Sequence, residues 1–474
     1  MNMEKDMFVL FETPKAFYLF DGNKNKILEL DEEIYSSLKK YKQGNIDEQN
    51  KNVIKKLRSR GFCEESYVKN IMHPETKFLS GYIENKLGNL YLQVTQACNL
   101  RCSYCPYSGM YNNRRHINKR LSFDTAKLAV DFYFKHSNNT LEPSIGFYGG
   151  EPLLEYDLIK QIVGYVKKNY PDKNVSFPLT TNGTLLSDDV VDFLVLNNFN
   201  LTISLDGPKT YHDKNRVFGN GKGSHDLIMK NLKKIKEKYP EYYNSIGFNS
   251  VAAPNIEYER LIDFYEKNTL TKGNIYSWSI LSDTYIDEPV KYPKDYFLLH
   301  DYEKFIAMLL SIKKTTKCDI SASALQWKGL VAERYRQLRK FGTISADSHP
   351  GGPCVPGKNR LFMDVDGNFF PCEKVSENSK IMKIGNIYEG INVEKASKIL
   401  NVAKCSEEEC KNCWCFCNCS QCAANADDLS NIPSKEKRLK NCSRIKHETI
   451  EVLKDICFLM ENHYDFQERV IQDE

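Results

Sequence analysis

Between Leu90 and Leu281 short apolar runs alternate with amphipathic ones. Strand-like runs occur at Leu90–Thr95, Ile145–Tyr148, Val175–Thr180, Leu201–Leu205, Ile246–Val251 and Ile275–Leu281. Helical periodicity fills the intervals at Asp124–Lys135, Glu155–Asn169, Ser187–Asn197, Ser224–Tyr239 and Ile256–Lys267. Ser122 and Ser187 stand where N-caps belong, each ahead of acidic residues in the first turn. Strict alternation of strand and helix predicts an α/β fold with a parallel sheet, open or barrel-shaped, and helices outside. In such sheets the loops after the strand C-termini carry the chemistry.

The pattern differs on either side. Before it, strand-like runs at Met7–Phe11, Ala16–Asp21 and Lys26–Glu29 precede helical patterns at Glu32–Lys40 and Asp47–Arg60, which predicts a small winged-helix-like α+β unit over residues 1–80. That unit contains no cluster of catalytic residue types, so it reads equally as a structural appendage or a binding module. After it, a helical bridge over Tyr302–Leu338 leads to the Gly/Pro-rich His349–Pro353 and a hairpin at Phe362–Phe370 turning on Asp366-Gly367-Asn368. A thiol-dense segment, Cys405–Cys442, and a final helix, Ser443–Glu461, follow. The boundaries expected from these shifts are 1–80, 88–300, 301–345 and 346–474.

Composition narrows the class. With 41% hydrophobic and 27% charged residues over 474 positions, the chain is neither collagen-like nor disordered. No run reaches the ~18 apolar residues of a membrane span; the longest, Phe305–Ile312, is broken by Ser311. Glu4 and Asp6, and the short run after them, argue against a signal peptide, so a cytoplasmic location is expected. A net charge of 66 − 62 = +4 gives no reason to expect a nucleic acid, and Lys233-Lys234-Ile235-Lys236 reads as a solvated helix face. Sixteen cysteines are the unusual feature, three within Cys98–Cys105 and eight within Cys405–Cys442. In a reducing compartment clustered thiols read as metal ligands rather than disulfides. Cys63, Cys318 and Cys457 stand apart and read as core residues.

Cys98, Cys102 and Cys105 form a C-x3-C-x2-C triplet directly after the first strand of the alternating region. A structural zinc takes four protein ligands, and the next candidate is as far away as His116. A [4Fe–4S] cluster on three cysteines keeps one iron open for another ligand. The triplet, with Tyr104 before its third cysteine, resembles the signature of radical S-adenosylmethionine (SAM) enzymes. Gly149-Gly150-Glu151-Pro152, Thr181-Asn182-Gly183 and Ser204-Leu205-Asp206-Gly207 follow successive strands and extend the resemblance. It implies a partial (β/α)6 barrel, SAM bound by Gly149, Gly150, Glu151, Asn182 and Ser204, and Arg216 as a candidate for the SAM carboxylate. No separate acid–base dyad is expected, because placing a radical is the protein's task.

The later cysteines resemble the SPASM extension of that family. Cys354, Gly367 and Cys372 fit its opening, and Cys410, Cys413, Cys419 and Cys442 fit its later positions, whereas Cys422 comes one residue early. The resemblance implies two auxiliary [4Fe–4S] clusters, one on Cys410, Cys413, Cys419 and Cys442, the other on Cys354, Cys372 and Cys422, and three clusters in all. Cys405, Cys415 and Cys417 are surplus; one of them completes the second cluster, or that cluster keeps an open iron. A zinc ribbon on Cys410, Cys413, Cys419 and Cys422 is the alternative. The domain order resembles that of maturases of ribosomally made peptides. It implies a precursor peptide whose leader adds a strand to the N-terminal sheet, and a flavodoxin- or ferredoxin-type reductant. Thioether formation from cysteine is the first expectation. Carbon–carbon cross-linking or epimerisation, a sulfatase-maturase-like side-chain oxidation, and a non-catalytic metal-binding protein are the alternatives.

Overall fold

The computed structural model describes residues 6–107, 110–111, 114–286, 288–314, 322–340 and 342–466. At the N-terminus β1 (Phe8–Glu12), β2 (Phe17–Asp21) and β3 (Lys26–Leu30) form an antiparallel sheet in that order, followed by α1 (Glu32–Lys42) and α2 (Glu48–Ser59). Side chains alternate across β2, so Leu19 packs with Phe8, Leu38, Tyr41, Ile54 and Cys63 under the helices. Tyr18 and Phe20 point the other way and pack with Phe11, Trp414, Cys415, Ile445, Leu453 and Cys457. Both faces of this small sheet are therefore buried, and its second face is covered by the thiol-dense segment.

The alternating region gives β4 (Asn89–Thr95), α3 (Phe123–His136), β5 (Ile145–Gly149), α4 (Tyr156–Asn169), β6 (Phe177–Thr181), α5 (Asp188–Leu196), β7 (Phe199–Ser204), α6 (Lys209–Asn215), α7 (His225–Lys238), β8 (Gly247–Val251), α8 (Tyr258–Lys267) and β9 (Tyr276–Ser279). The six strands pair in parallel in the order β9-β8-β7-β6-β5-β4, an incomplete barrel. Leu90, Leu92 and Val94 take one side of β4, and Tyr91, Gln93 and Thr95 the other. Phe147, Phe177 and Phe199 stack across β5, β6 and β7 with centroids 5.4–6.4 Å apart. The short α6, which delivers Arg216, has no counterpart in the periodicity because its seven residues make fewer than two full turns of amphipathic pattern.

Two features depart from the sequence expectation. The bridge is two helices, α9 (Leu298–Ser311) and α10 (Ala322–Lys340), and Cys318 lies outside the described residues. The hairpin β10 (Arg360–Met363) and β11 (Asn368–Phe370) is not separate from the barrel. β10 pairs in parallel with β4, so one sheet runs from β9 through β11 into β12 (Gly385–Asn386) and β13 (Gly390–Ile391). A four-residue strand has too little periodicity to announce which sheet it joins. The C-terminal α11 (Lys435–Leu439) and α12 (Cys442–Glu461) close the chain. Asp455 of α12 receives Trp327 Nε1 at 2.9 Å and Lys304 Nζ at 2.8 Å, tying both bridge helices to it. Among the described residues no helix is long and apolar enough to cross a membrane.

Candidate functional site

Cys98 to Cys105 leave the end of β4 as a loop pinned to the segment after α6. Arg101 N–H donates to the Val217 carbonyl at 2.7 Å and Ser103 N–H to the Asn215 carbonyl at 2.9 Å. Cys102 is buried, Cys98 and Cys105 half-buried, and each thiol lies within the electrostatic reach of the other two. Burial pushes Cys98 up to about 12, helped by the Glu151 carboxylate, and Cys102 up to about 11 against the pull of Arg216. Such thiols stay protonated at neutral pH until a metal displaces the proton. All fifteen described cysteines are free of disulfides. Among the described residues no group of three or more Cys, His, Asp or Glu closes around a single ion. A cubane takes each thiolate on a different iron, so its ligands need not meet that condition.

The Gly149-Gly150-Glu151 segment lies against the backbone leading into this loop. A Cβ on Gly149, whose φ is +149°, would sit 2.1 Å from the Thr95 carbonyl oxygen, and one on Gly150 2.2 Å from that of Ala97. Only glycine allows this approach. Glu151 is fully buried, and its carboxylate accepts from Leu153 N–H (3.1 Å), Thr181 Oγ1 (2.7 Å) and Asn182 N–H (2.7 Å). It fastens the loop after β5 to the loop after β6. Burial raises its pKa despite these donors.

Asn182 donates through Nδ2 to Asn99 Oδ1 at 2.8 Å and stands 3.9 Å from the Cys98 sulfur. Its Oδ1 accepts from the Thr184 N–H and hydroxyl, and Asn99 closes the triangle onto Thr184 at 2.8 Å. Ser204, half-buried at the end of β7, makes no side-chain hydrogen bond to a described residue. Arg216 is buried; Nη1 donates to the Tyr104 hydroxyl at 3.1 Å and stands 4.0 Å from Asp206, to which Tyr104 also donates. Its Nε is buried and has no hydrogen-bond partner among the described residues. That orphaned donor beside the Cys102 thiol suits an anionic group, so the residues present fit a cluster with a carboxylate-bearing ligand.

A second network was not visible in the sequence. Arg114 Nε pairs with Glu377 at 2.9 Å and its Nη2 donates to the Val375 carbonyl at 2.8 Å. Glu377 also receives Gln93 at 2.7 Å and Gln96 at 2.8 Å, and Gln93 donates to the Tyr107 hydroxyl at 2.9 Å. This buried polar knot ties β4 and the triplet loop to the segment after Cys372. Its members carry no motif, and only the fold makes them neighbours.

In the C-terminal segment, Cys410, Cys413, Cys419 and Cys442 form one electrostatically linked group of thiols. Cys442 receives Gln421 Nε2 at 3.5 Å, and Ser406 Oγ lies 3.3 Å from Cys410. Cys422 faces Cys354 and Cys372, so these three make a second group, with Cys354 and Cys422 exposed. Of the surplus thiols, Cys415 lies within electrostatic reach of Cys413 and Cys419 of the first group, and burial is what raises Cys417. Cys415 contacts Thr449 Oγ1 at 3.2 Å inside the interface with the N-terminal sheet, and Cys417 lies 3.9 Å from the Gly22 carbonyl. Cys405 stands beside Cys410 and Arg438. Cys63 and Cys457 are core residues.

Residues 92–267 match the model of the Radical SAM superfamily. The chain is 29% identical over 369 residues to a cysteine-type anaerobic sulfatase-maturating enzyme of Clostridium novyi (strain NT), covering 73% of this chain and 90% of that protein. It is 24% identical over 266 residues to the radical SAM cyclopropyl synthase TigE of Paramaledivibacter caminithermalis, covering 50% of this chain and 54% of that protein. The solved structure of native anSMEcpe with bound AdoMet and Kp18Cys peptide superposes with a TM-score of 0.56 at 20% identity, covering 78% of this chain and 99% of that one.

Proposed function

We propose, for a chain that carries a radical SAM domain and resembles the SPASM-type maturases, that it modifies a ribosomally made precursor peptide by linking cysteine sulfur to a carbon of that peptide. The observation that carries this reading is the group of three thiols, Cys354, Cys372 and Cys422, with Cys415 and Cys417 engaged elsewhere. A [4Fe–4S] cluster on three thiolates keeps an iron open for a substrate thiolate.

Cys98, Cys102 and Cys105 would hold the SAM-binding cluster, and Cys410, Cys413, Cys419 and Cys442 a fully ligated auxiliary one. When bound, a reduced cluster and SAM supply a 5′-deoxyadenosyl radical that takes a hydrogen from the substrate. The chain's own residues bind and orient. Gly149 and Gly150 bring main chain against the triplet loop, and Glu151 holds the neighbouring loop so that Asn182 stays beside Cys98. Ser204 offers a free hydroxyl and Arg216 a free Nε to the polar ends of SAM. The Gln93–Arg114–Glu377 knot braces the strand before the triplet loop against the segment after Cys372.

β3 is one of the two outer strands of the N-terminal sheet, and its edge suits strand addition by a leader segment. The peptide bound to anSMEcpe supports a peptide partner. A cytoplasmic location would supply a flavodoxin- or ferredoxin-type reductant. Anaerobic chain with dithionite is expected to convert SAM to 5′-deoxyadenosine, and the Cys98/Cys102/Cys105→Ala chain is not. With the precursor peptide, mass spectrometry is expected to find two hydrogens lost per link and the cysteine closed to alkylation. A cysteine that still alkylates after the same mass loss points to a carbon–carbon link. Loss of the sulfur itself points to the sulfatase-maturase type of oxidation, the reading favoured by the relative from Clostridium novyi.

A further inference from the structure

Arg438 is the bulkiest fully buried side chain among the described residues, with no exposed surface. Its Nε, Nη1 and Nη2 are all buried, and none has a hydrogen-bond partner there. A guanidinium is always charged and carries five donors, so burying it unpaired carries a desolvation penalty that a folded chain must offset. Its helix, α11, packs between the turn Val402–Ser406 and the turn Ala423–Ala426, and α12 begins three residues on. That brings the fork among the thiols of Cys405, Cys419 and Cys442, each of which feels its charge. Gln421 donates to Cys442 while its Oε1 makes no hydrogen bond to a described residue, Lys446 lies near Cys413 and Cys442, Lys435 and Ser406 lie near Cys405, and His349, which burial holds neutral, lies near Arg438 itself. Of these, Arg438 alone is both charged and wholly enclosed.

We propose that Arg438 is the internal counter-charge of the auxiliary cluster on Cys410, Cys413, Cys419 and Cys442, donating N–H···S bonds that raise its reduction potential. The inference rests on the reading of those four cysteines as cluster ligands. Cluster potentials follow net charge, hydrogen bonds to sulfur and exposure. A cation and donors at the sulfurs favour the more negative, reduced state. Arginine delivers several donors in one plane, whereas lysine keeps the charge as a single point.

The test is a redox titration of the reconstituted full-length chain, followed by electron paramagnetic resonance, with iron counted per chain. Arg438→Gln is expected to keep its iron and to shift one auxiliary signal to lower potential by at least 59 mV, a tenfold change in a one-electron equilibrium. Arg438→Lys is expected to shift the same signal less, and the other signals are expected to stay. Full iron with wild-type potentials in Arg438→Gln overturns the proposal. If Arg438→Gln instead loses one cluster's iron, Arg438→Lys must restore it; loss in both variants reduces the arginine to a packing element and also overturns it. A wild-type chain that binds only four irons refutes the ligand reading itself, an outcome separate from any effect of Arg438.

Discussion

His212 is fully buried and uses both ring nitrogens. Nδ1 accepts from Asp206 N–H at 3.1 Å, so Nε2 carries the proton and donates to Ser224 Oγ at 2.9 Å; that hydroxyl in turn donates to the Arg216 carbonyl. One neutral imidazole thus fixes the backbones of both Asp206 and Arg216. Burial, reinforced by the charge of Arg216, pulls its pKa down to about 2. The unfolded histidine, near 6.5, then binds a proton that the folded one refuses, so its contribution is present above 6.5 and falls as pH drops below it. Between pH 7.5 and 6.0 this removes about 0.8 kcal/mol. His212→Gln is expected to lower the thermal midpoint at both pH values while narrowing the gap between them. A gap equal to that of the parent chain would mean that another group sets the acid sensitivity.

At the scale of the element, two serines that the sequence offers as equivalent caps behave differently. Ser122 accepts from Thr125 N–H at 3.0 Å and caps α3. Ser187 stands at the N-cap of α5, yet its hydroxyl donates to Asp189 at 2.5 Å and leaves the backbone donors uncapped. A hydroxyl can donate and accept at once, so what decides is orientation: the charge-assisted bond to Asp189 turns the oxygen away from the free backbone donors. Ser122→Ala should therefore cost about 1 kcal/mol in urea unfolding, and Ser187→Ala within about 0.5 kcal/mol. Equal losses at the two positions would show that the side-chain bond at Ser122 contributes nothing.

For the whole molecule, the decisive contact is between the first sheet and the thiol-dense loop. The turn after β2 lies so close that a Cβ on Gly22 would stand 2.3 Å from the Trp414 carbonyl oxygen. Phe20 packs edge-on against Trp414, and Asn418 reaches Asn25 at 3.3 Å. The N-terminal unit is thus one wall of the C-terminal loop. Gly22→Ala, with backbone on both sides of the clash, is expected to lower the thermal midpoint and to speed proteolysis in the stretch after α2. A variant as resistant as the parent chain would show that the two units do not share this contact in solution.

The sequence by itself determined the parallel α/β order and the place of the thiol triplet after β4. Each of these is written locally, as a period of apolar positions or a spacing of thiols within one loop. Glu151 and Asn182 were also legible as motif residues, but that the Glu151 carboxylate is spent on holding Thr181 and Asn182 was not. Tertiary structure alone decided that β10 extends the barrel sheet, that Arg114 meets Glu377, that Cys415 and Cys417 serve an interface, and that Arg438 lies enclosed among thiols. These pairings join residues far apart in the chain. A long-range contact leaves no period and no spacing, because it is set by which buried surfaces and polar groups satisfy one another when the elements pack.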